Sequence, residues 1–117
     1  MPKHTETGSK GEYLAGMFLK KIGYQILTYN WRSGRKEVDI IASYRHRIVF
    51  VEVKTRTSIQ FGYPEDAVSV IKQENLKMAA ADFLERNPQY KEIQFDIVSI
   101  VIQKDKSFSI KHFPDAF

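Results

Sequence analysis

The chain contains no cysteine. That removes a disulfide framework and every zinc site built on thiolates. It agrees with a reducing, cytoplasmic setting, which is the expectation. The sequence also lacks any apolar run long enough to span a bilayer, and its start, Met1-Pro2-Lys3-His4-Thr5-Glu6, leads into no signal-like apolar core. No membrane partner is expected. Charge of one sign is modest: a net +4 tilts toward polyanionic partners and is too small to establish them. Histidine is scarce and scattered. His4, His46 and His112 fall in a tail, a turn and a terminal strand, so they read as surface residues rather than a metal site. No repeat, low-complexity tract or second domain is visible.

What is present suits one globular domain with a modest core: 117 residues, of which 43% are hydrophobic. Residues 1–9 read as a flexible polar tail and 10–117 as the domain. Gly8 to Gly11 turns into a first helix over about Lys10 to Lys21, with Tyr13, Leu14, Met17, Phe18 and Ile22 as its apolar stripe. Gly23 stops it. Tyr24 to Trp31 is a strand, and Arg32-Ser33-Gly34-Arg35-Lys36 a basic turn. Pro64, Glu65 and Asp66 suit a helix start, and a helix, kinked or broken early, is predicted over Pro64 to Glu85 with Val68, Ile71, Leu76, Ala79, Ala80, Phe83 and Leu84 inward. Strands follow at Ile93 to Ile102 and, at an edge, Phe108 to Phe113. The order is αβββαββ, an α/β layered domain.

The most informative stretch runs from Glu37 to Lys54. Glu37-Val38-Asp39-Ile40-Ile41-Ala42 and Ile48-Val49-Phe50-Val51-Glu52-Val53-Lys54 flank a short polar segment, the pattern of a hairpin. With the turn centred between Arg45 and His46, Asp39 falls opposite Glu52 and Glu37 opposite Lys54. Directly opposed Cβ atoms stand about 4.5–5.5 Å apart. Val38, Ile40, Val51 and Val53 then share the other, wholly apolar face. One end of the hairpin therefore presents three carboxylates and an ammonium together.

Carboxylates this close resist joint ionisation unless a cation sits among them. A hard ion such as Mg²⁺ or Mn²⁺ takes oxygen ligands, here Asp39, Glu52 and the Val53 backbone carbonyl. Lys54 would then face the ion's water or a phosphate. The alternative is an ion-pair ladder of Asp39 and Glu52 with Lys54 and Arg56 on a solvated face. Glu12 reads on its own as a favourable charge in the first helical turn. Trp31 and Tyr29 read as core; Phe61 and Tyr63, in the loop after Lys54, are better placed to touch nucleic acid. Asp96 opens a buried strand and is expected to pair with a basic neighbour.

The arrangement Asp39, then Glu52-Val53-Lys54, resembles the signature of the restriction-endonuclease-like nuclease superfamily. More closely, the chain is similar to the YraN-like family (UPF0102), related to Holliday-junction resolvases. The matching features are Gly8-x-x-Gly11-Glu12, Gly23-Tyr24-x-Ile26-Leu27, Asn30-x-Arg32, Glu37-Val38-Asp39-Ile40-Ile41, Val49 to Lys54 with Arg56, Phe61-Gly62, Ala67-Val68, Lys72 and Phe95-Asp96-Ile97-Val98. The resemblance implies a three-layer restriction-endonuclease-like fold, with a central mixed sheet of about five strands flanked by helices. It implies a metal-dependent DNA endonuclease with Glu12, Asp39, Glu52 and Lys54 catalytic and Glu12 a third carboxylate near the metal. Arg56 and Lys72 become DNA-backbone contacts, alongside Arg32, Arg35 and Lys36 of the basic turn. Branched DNA is an expected substrate, and cutting two opposed strands calls for a homodimer. A non-catalytic nucleic-acid-binding module and a structural or protein-interaction domain are the competing readings.

Overall fold

In the computed structural model, residues 6–57 and 69–117 are described. The elements are α1 (Glu6–Lys21), β1 (Gln25–Ser33), β2 (Lys36–Tyr44), β3 (Arg47–Arg56), α2 (Val70–Arg86), β4 (Glu92–Ile102) and β5 (Phe108–Phe113). The strands form one sheet in the order β1-β2-β3-β4-β5. Only β3 and β4 run parallel; the other neighbours are antiparallel. Consecutive parallel strands need a crossover, and α2 supplies it.

Period-two alternation gives the sheet two apolar faces. Ile40, Ala42, Val49, Val51, Val98 and Ile100 pack under α1 through Ala15 and Leu19. Ile41, Ile48, Phe50 and Phe95 pack under α2 through Leu76, Ala79, Ala80 and Phe83. The result is a three-layer α/β domain, helix on sheet on helix, as the pattern of elements predicts.

Helix ends follow local chemistry. Tyr24 N–H donates to the Leu19 carbonyl at 2.9 Å and Gly23 N–H to that of Lys20 at 3.1 Å. That paired closure needs a left-handed residue, and Gly23 sits at φ 100°. Ser69 caps α2, its hydroxyl accepting from Lys72 N–H at 3.2 Å. This cap starts the helix at Val70. Residues 64–68, where the sequence suggested a start, lie outside the described residues.

Several expectations need correction. Glu6 to Ser9 are helical, so Gly8 and Gly11 lie inside α1 rather than in a turn before it. Tyr13, Met17 and Ile22 are exposed (63%, 47% and 40%); α1 buries the stripe through Gly11, Ala15 and Leu19. Ile71 is 74% exposed rather than inward. Val38 joins Ile41 on the α2 face, not Ile40 on the α1 face. Its strand parity breaks beside Asn30, which takes a left-handed φ of 53° between the pairs Tyr29–Ile40 and Trp31–Val38. His112 is not a surface residue: its side chain is 10% exposed and bonds Asp96. Trp31 packs edge-on against Phe83, as core, but Tyr29, expected there too, is 40% exposed.

Candidate active site

The β2–β3 ladder runs from Tyr44–Arg47 to Ile40–Val51 in the register expected from the two-residue turn, and then stops. At the next position a side chain replaces the backbone. Asp39 Oδ2 accepts the Val53 N–H at 2.8 Å. A backbone donor left by the parting strands is thus satisfied, and the carboxylate is fixed in the fork between β2 and β3. A cleft of about 600 Å³ opens there, walled by residues from α1, β2, β3 and α2.

Its charges are layered. Among the described residues four carboxylates line it, Glu12, Glu37, Asp39 and Glu52, and five cations, Arg35, Lys36, Lys54, Arg56 and Lys72. Asp39 and Glu12 are 9% and 8% exposed, whereas Arg35, Arg56 and Lys72 stand at the surface. The floor is acidic and the rim basic. Burial, then the charges of Glu52, Glu12 and Glu37, hold the Asp39 carboxyl well above the usual carboxylate range, against the Val53 hydrogen bond.

The lysines are arranged across the sheet-to-helix junction. Lys72 Nζ lies 3.4 Å from Glu52 Oε2. Burial, then the hydrogen bond and charge of Lys72, bring Lys54 down to about 8, against the pull of Glu52. Burial pulls Lys72 down as well, but the Lys54 amine and Glu52 outweigh it, and its net displacement is upward. Among the described residues neither Lys54 nor Arg56 forms an ion pair with a carboxylate. The ion-pair ladder along the hairpin is therefore not what the fold builds; the partner of Glu52 comes from α2.

Glu12 reaches the cleft because α1 runs unusually close to β3. A Cβ on Gly11 would stand 2.9 Å from Thr55 Cβ, closer than real contacts allow. Glu12 lies in the second turn of α1, not the first, so the helix-end reading of its charge falls away. Gly11→Ala is expected to push α1 off β3, lowering stability by about 1–3 kcal/mol and withdrawing Glu12 from Asp39. A thermal melt and the acid titration of Asp39 check this; unchanged values in both would mean α1 has slack at that crossing.

Most residues singled out from sequence meet here: Glu12, Asp39, Glu52, Val53, Lys54, Arg35, Lys36, Arg56 and Lys72 all line the cleft. Arg32 does not; its guanidinium pairs with Glu37 at 3.0 Å. Phe61 and Tyr63 lie outside the described residues. Thr55, Asn75 and Leu76 also wall the cleft and were not anticipated. Lys72, Asn75 and Leu76 are spaced i, i+3, i+4 on α2, a helical face that the sequence does display.

Among the described residues no three Asp, Glu or His side chains form a ready coordination set. What the cleft offers a cation is the carboxylates of Asp39 and Glu52, with Val53 beside them in the wall and Glu12 within electrostatic reach. That oxygen-only, partial set fits Mg²⁺ or Mn²⁺, which keep several of their own waters. It offers nothing to ions that seek nitrogen or sulfur.

Comparison with known proteins gives a consistent outcome. The chain is 44% identical over 117 residues to a UPF0102 protein of Flavobacterium psychrophilum, covering all of this chain and 98% of that one. It is 46% identical over 113 residues to one of Syntrophomonas wolfei, covering 96% and 97%. A relative from Rhodococcus opacus is 38% identical over the full length of both. The model of the uncharacterised protein family UPF0102 matches residues 11–100, which hold α1 from Gly11 onward, the whole acid fork and α2. With the cleft and the elements that build it inside that match, the chain belongs to the UPF0102 family.

Proposed function

We propose that this protein is a metal-dependent endonuclease that hydrolyses DNA phosphodiester bonds, with branched DNA as its expected substrate. One observation carries the reading: a buried carboxylate, Asp39, fixed in a strand fork, crowded by three further carboxylates, in a cleft that five cations line and Arg35, Arg56 and Lys72 rim. A cation at the floor would relieve the carboxylates, and the rim suits a polyanion.

Asp39, Glu52 and the Val53 carbonyl would hold Mg²⁺ or Mn²⁺, with Glu12 alongside. Bound there, such an ion polarises the scissile phosphate and makes water a better nucleophile. Asp39, pinned by Val53 N–H, presents its carboxylate without reorganising. Glu52 is oriented by Lys72. Lys54, near 8, exchanges readily between an ammonium that neutralises a phosphate oxygen and an amine that accepts a proton from water. Arg35, Lys36 and Arg56 hold flanking phosphates. Cutting two opposed strands needs two clefts, so a homodimer is part of the proposal.

The test is cleavage of branched, flapped, single-stranded and linear duplex DNA with Mg²⁺ or Mn²⁺. Lys54→Ala is expected to cut the rate by about 10²-fold or more with the circular dichroism unchanged. DNA binding without cleavage would make the protein a non-catalytic binding module. Absence of salt-dependent binding would leave a structural or interaction domain.

A further inference from the structure

The β2–β3 turn lies at the opposite end of β3 from the acid fork. Tyr44–Arg47 is the last ladder pair, so the loop is two residues, Arg45 and His46. Both have positive φ, 48° and 70°. That is a type I′ turn, which Asn-Gly fits without strain. Ordinary side chains are strained there. This chain nevertheless places two long nitrogen-bearing side chains at the tip, both exposed.

Beside the turn opens a second pocket of about 610 Å³. Arg45, His46, Arg47 and Lys91 wall it, with Tyr44 and Tyr90; among the described residues Glu92 is its one acidic one. Among the described residues Arg45, Arg47 and Lys91 form no ion pair. The two guanidinium groups are held by neutral partners instead. Arg47 Nη1 donates to Gln94 Oε1 at 3.1 Å. Arg45 lies over the Tyr44 ring, 5.2 Å from its centroid, and Tyr44 stacks on Tyr24 at 4.5 Å. Glu92 is the register partner of Arg47 across β3 and β4 but forms no ion pair with it, and guanidinium forks held by neutral groups remain suited to phosphate oxygens. Arg47 lies six residues from Val53 along one strand, roughly 20 Å, a little over half a turn of duplex.

We infer that the turn pocket is a second nucleic-acid contact, which grips the phosphate backbone of the substrate away from the cleft. The nuclease reading supplies only the identity of the polyanion. The test measures binding of a fluorescent DNA duplex to the full chain, in EDTA, across a salt series. Two double variants are compared: Arg45→Asn with His46→Gly, and Arg47→Gln with Lys91→Gln. Each is expected to weaken binding about 10-fold and to make the salt slope shallower by about 1–2. The first should melt at or above the wild-type temperature, because it relaxes the turn, so its loss of binding is not unfolding.

Unchanged affinity and slope in both variants would overturn the inference. So would a wild-type chain that does not bind DNA. Inorganic phosphate is the comparison ligand: phosphate binding lost in the variants while DNA binding persists would make this a small-anion pocket and also overturn it. Failure here is separable from failure of the nuclease reading. Cleavage with normal binding by the turn variants sinks only the second contact, and turn-dependent binding without any cleavage sinks only the nuclease.

Discussion

Replacing Asp39 with asparagine is expected to abolish cleavage, by about 10³-fold or more, while making the protein more stable. The two effects have one cause. Asp39 is buried and crowded by Glu52, Glu12 and Glu37, which hold its carboxyl above the usual range. A carboxylate that is harder to ionise folded than unfolded favours the native state below the unfolded value of about 3.9. That contribution is lost as pH rises through the folded value. At neutral pH the charge at Asp39 therefore costs stability. Asparagine removes it yet keeps an oxygen to accept Val53 N–H. The gain should be about 1 kcal/mol, or roughly 4 °C in Tm. It should grow as pH rises above the ordinary aspartate value and level off beyond the folded one.

Added Mg²⁺ separates the roles further. A ligand that binds only the native state raises Tm by mass action. The wild type should gain stability with Mg²⁺ and Asp39→Asn should not, so the gap narrows as metal is added. If Asp39 served only to hold the fork, the asparagine variant would cleave normally and melt alike with or without metal. That result, or a fall in neutral-pH Tm, would remove the central support for a metal pocket.

How much of this was legible beforehand differs by element. The β2–β3 register was, because two runs rich in β-branched residues meet across a loop too short to slip. The parting of the strands at Asp39 was not. It coincides with features no local pattern displays: Asn30, on the neighbouring strand, takes a left-handed conformation, and Val38 packs on the α2 face. On α1 the apolar residues surround the helix, so periodicity alone did not choose the buried side. The choice falls on Gly11, Ala15 and Leu19 because only a missing side chain clears Thr55. That same clearance is what carries Glu12 into the cleft. Resemblance placed Glu12 near the metal, but local sequence gave no physical reason for it.

The sharpest contrast is between two aspartates that look alike in sequence, Glu37-Val38-Asp39-Ile40 and Phe95-Asp96-Ile97-Val98. Among the described residues Asp39 has one hydrogen-bond donor in the fork and three like charges nearby. Asp96, fully buried in β4, has four donors. Tyr24 Oη donates to Oδ2 at 2.6 Å and His112 Nε2 lies 2.7 Å from the same oxygen; Gln94 Nε2 and Asp115 N–H reach Oδ1 at 2.8 and 3.0 Å. Burial alone would raise its carboxyl, but these contacts, His112 and Tyr24 foremost, bring it below the usual range. Burial, then its hydrogen bond to Asp96 Oδ2, pushes the Tyr24 hydroxyl far above the ordinary phenol value. Asp96 thus ties the α1–β1 junction, β5 and the segment at Asp115 to β4, the strand that pairs with Glu52–Lys54.

Asp96→Asn should accordingly do the opposite of Asp39→Asn. It leaves an amide facing donors on one side of the cluster, and breaking a buried charge network by one partner costs about 3–5 kcal/mol. In a domain stable by roughly 5–15 kcal/mol, that lowers Tm by on the order of 15 °C. Tyr24→Phe removes one donor and should cost about 1 kcal/mol. The sign of the pH dependence is also reversed. A depressed carboxylate stabilises above the unfolded value of about 3.9 and loses that contribution as pH falls through the folded value. Urea melts of wild type and Asp96→Asn should therefore converge in acid and separate toward neutrality. Curves that stay parallel at every pH, or a variant as stable as wild type at neutrality, would mean the four donors do not hold an ionised carboxylate. The buried aspartate that strengthens the fold would then be indistinguishable from the one that weakens it.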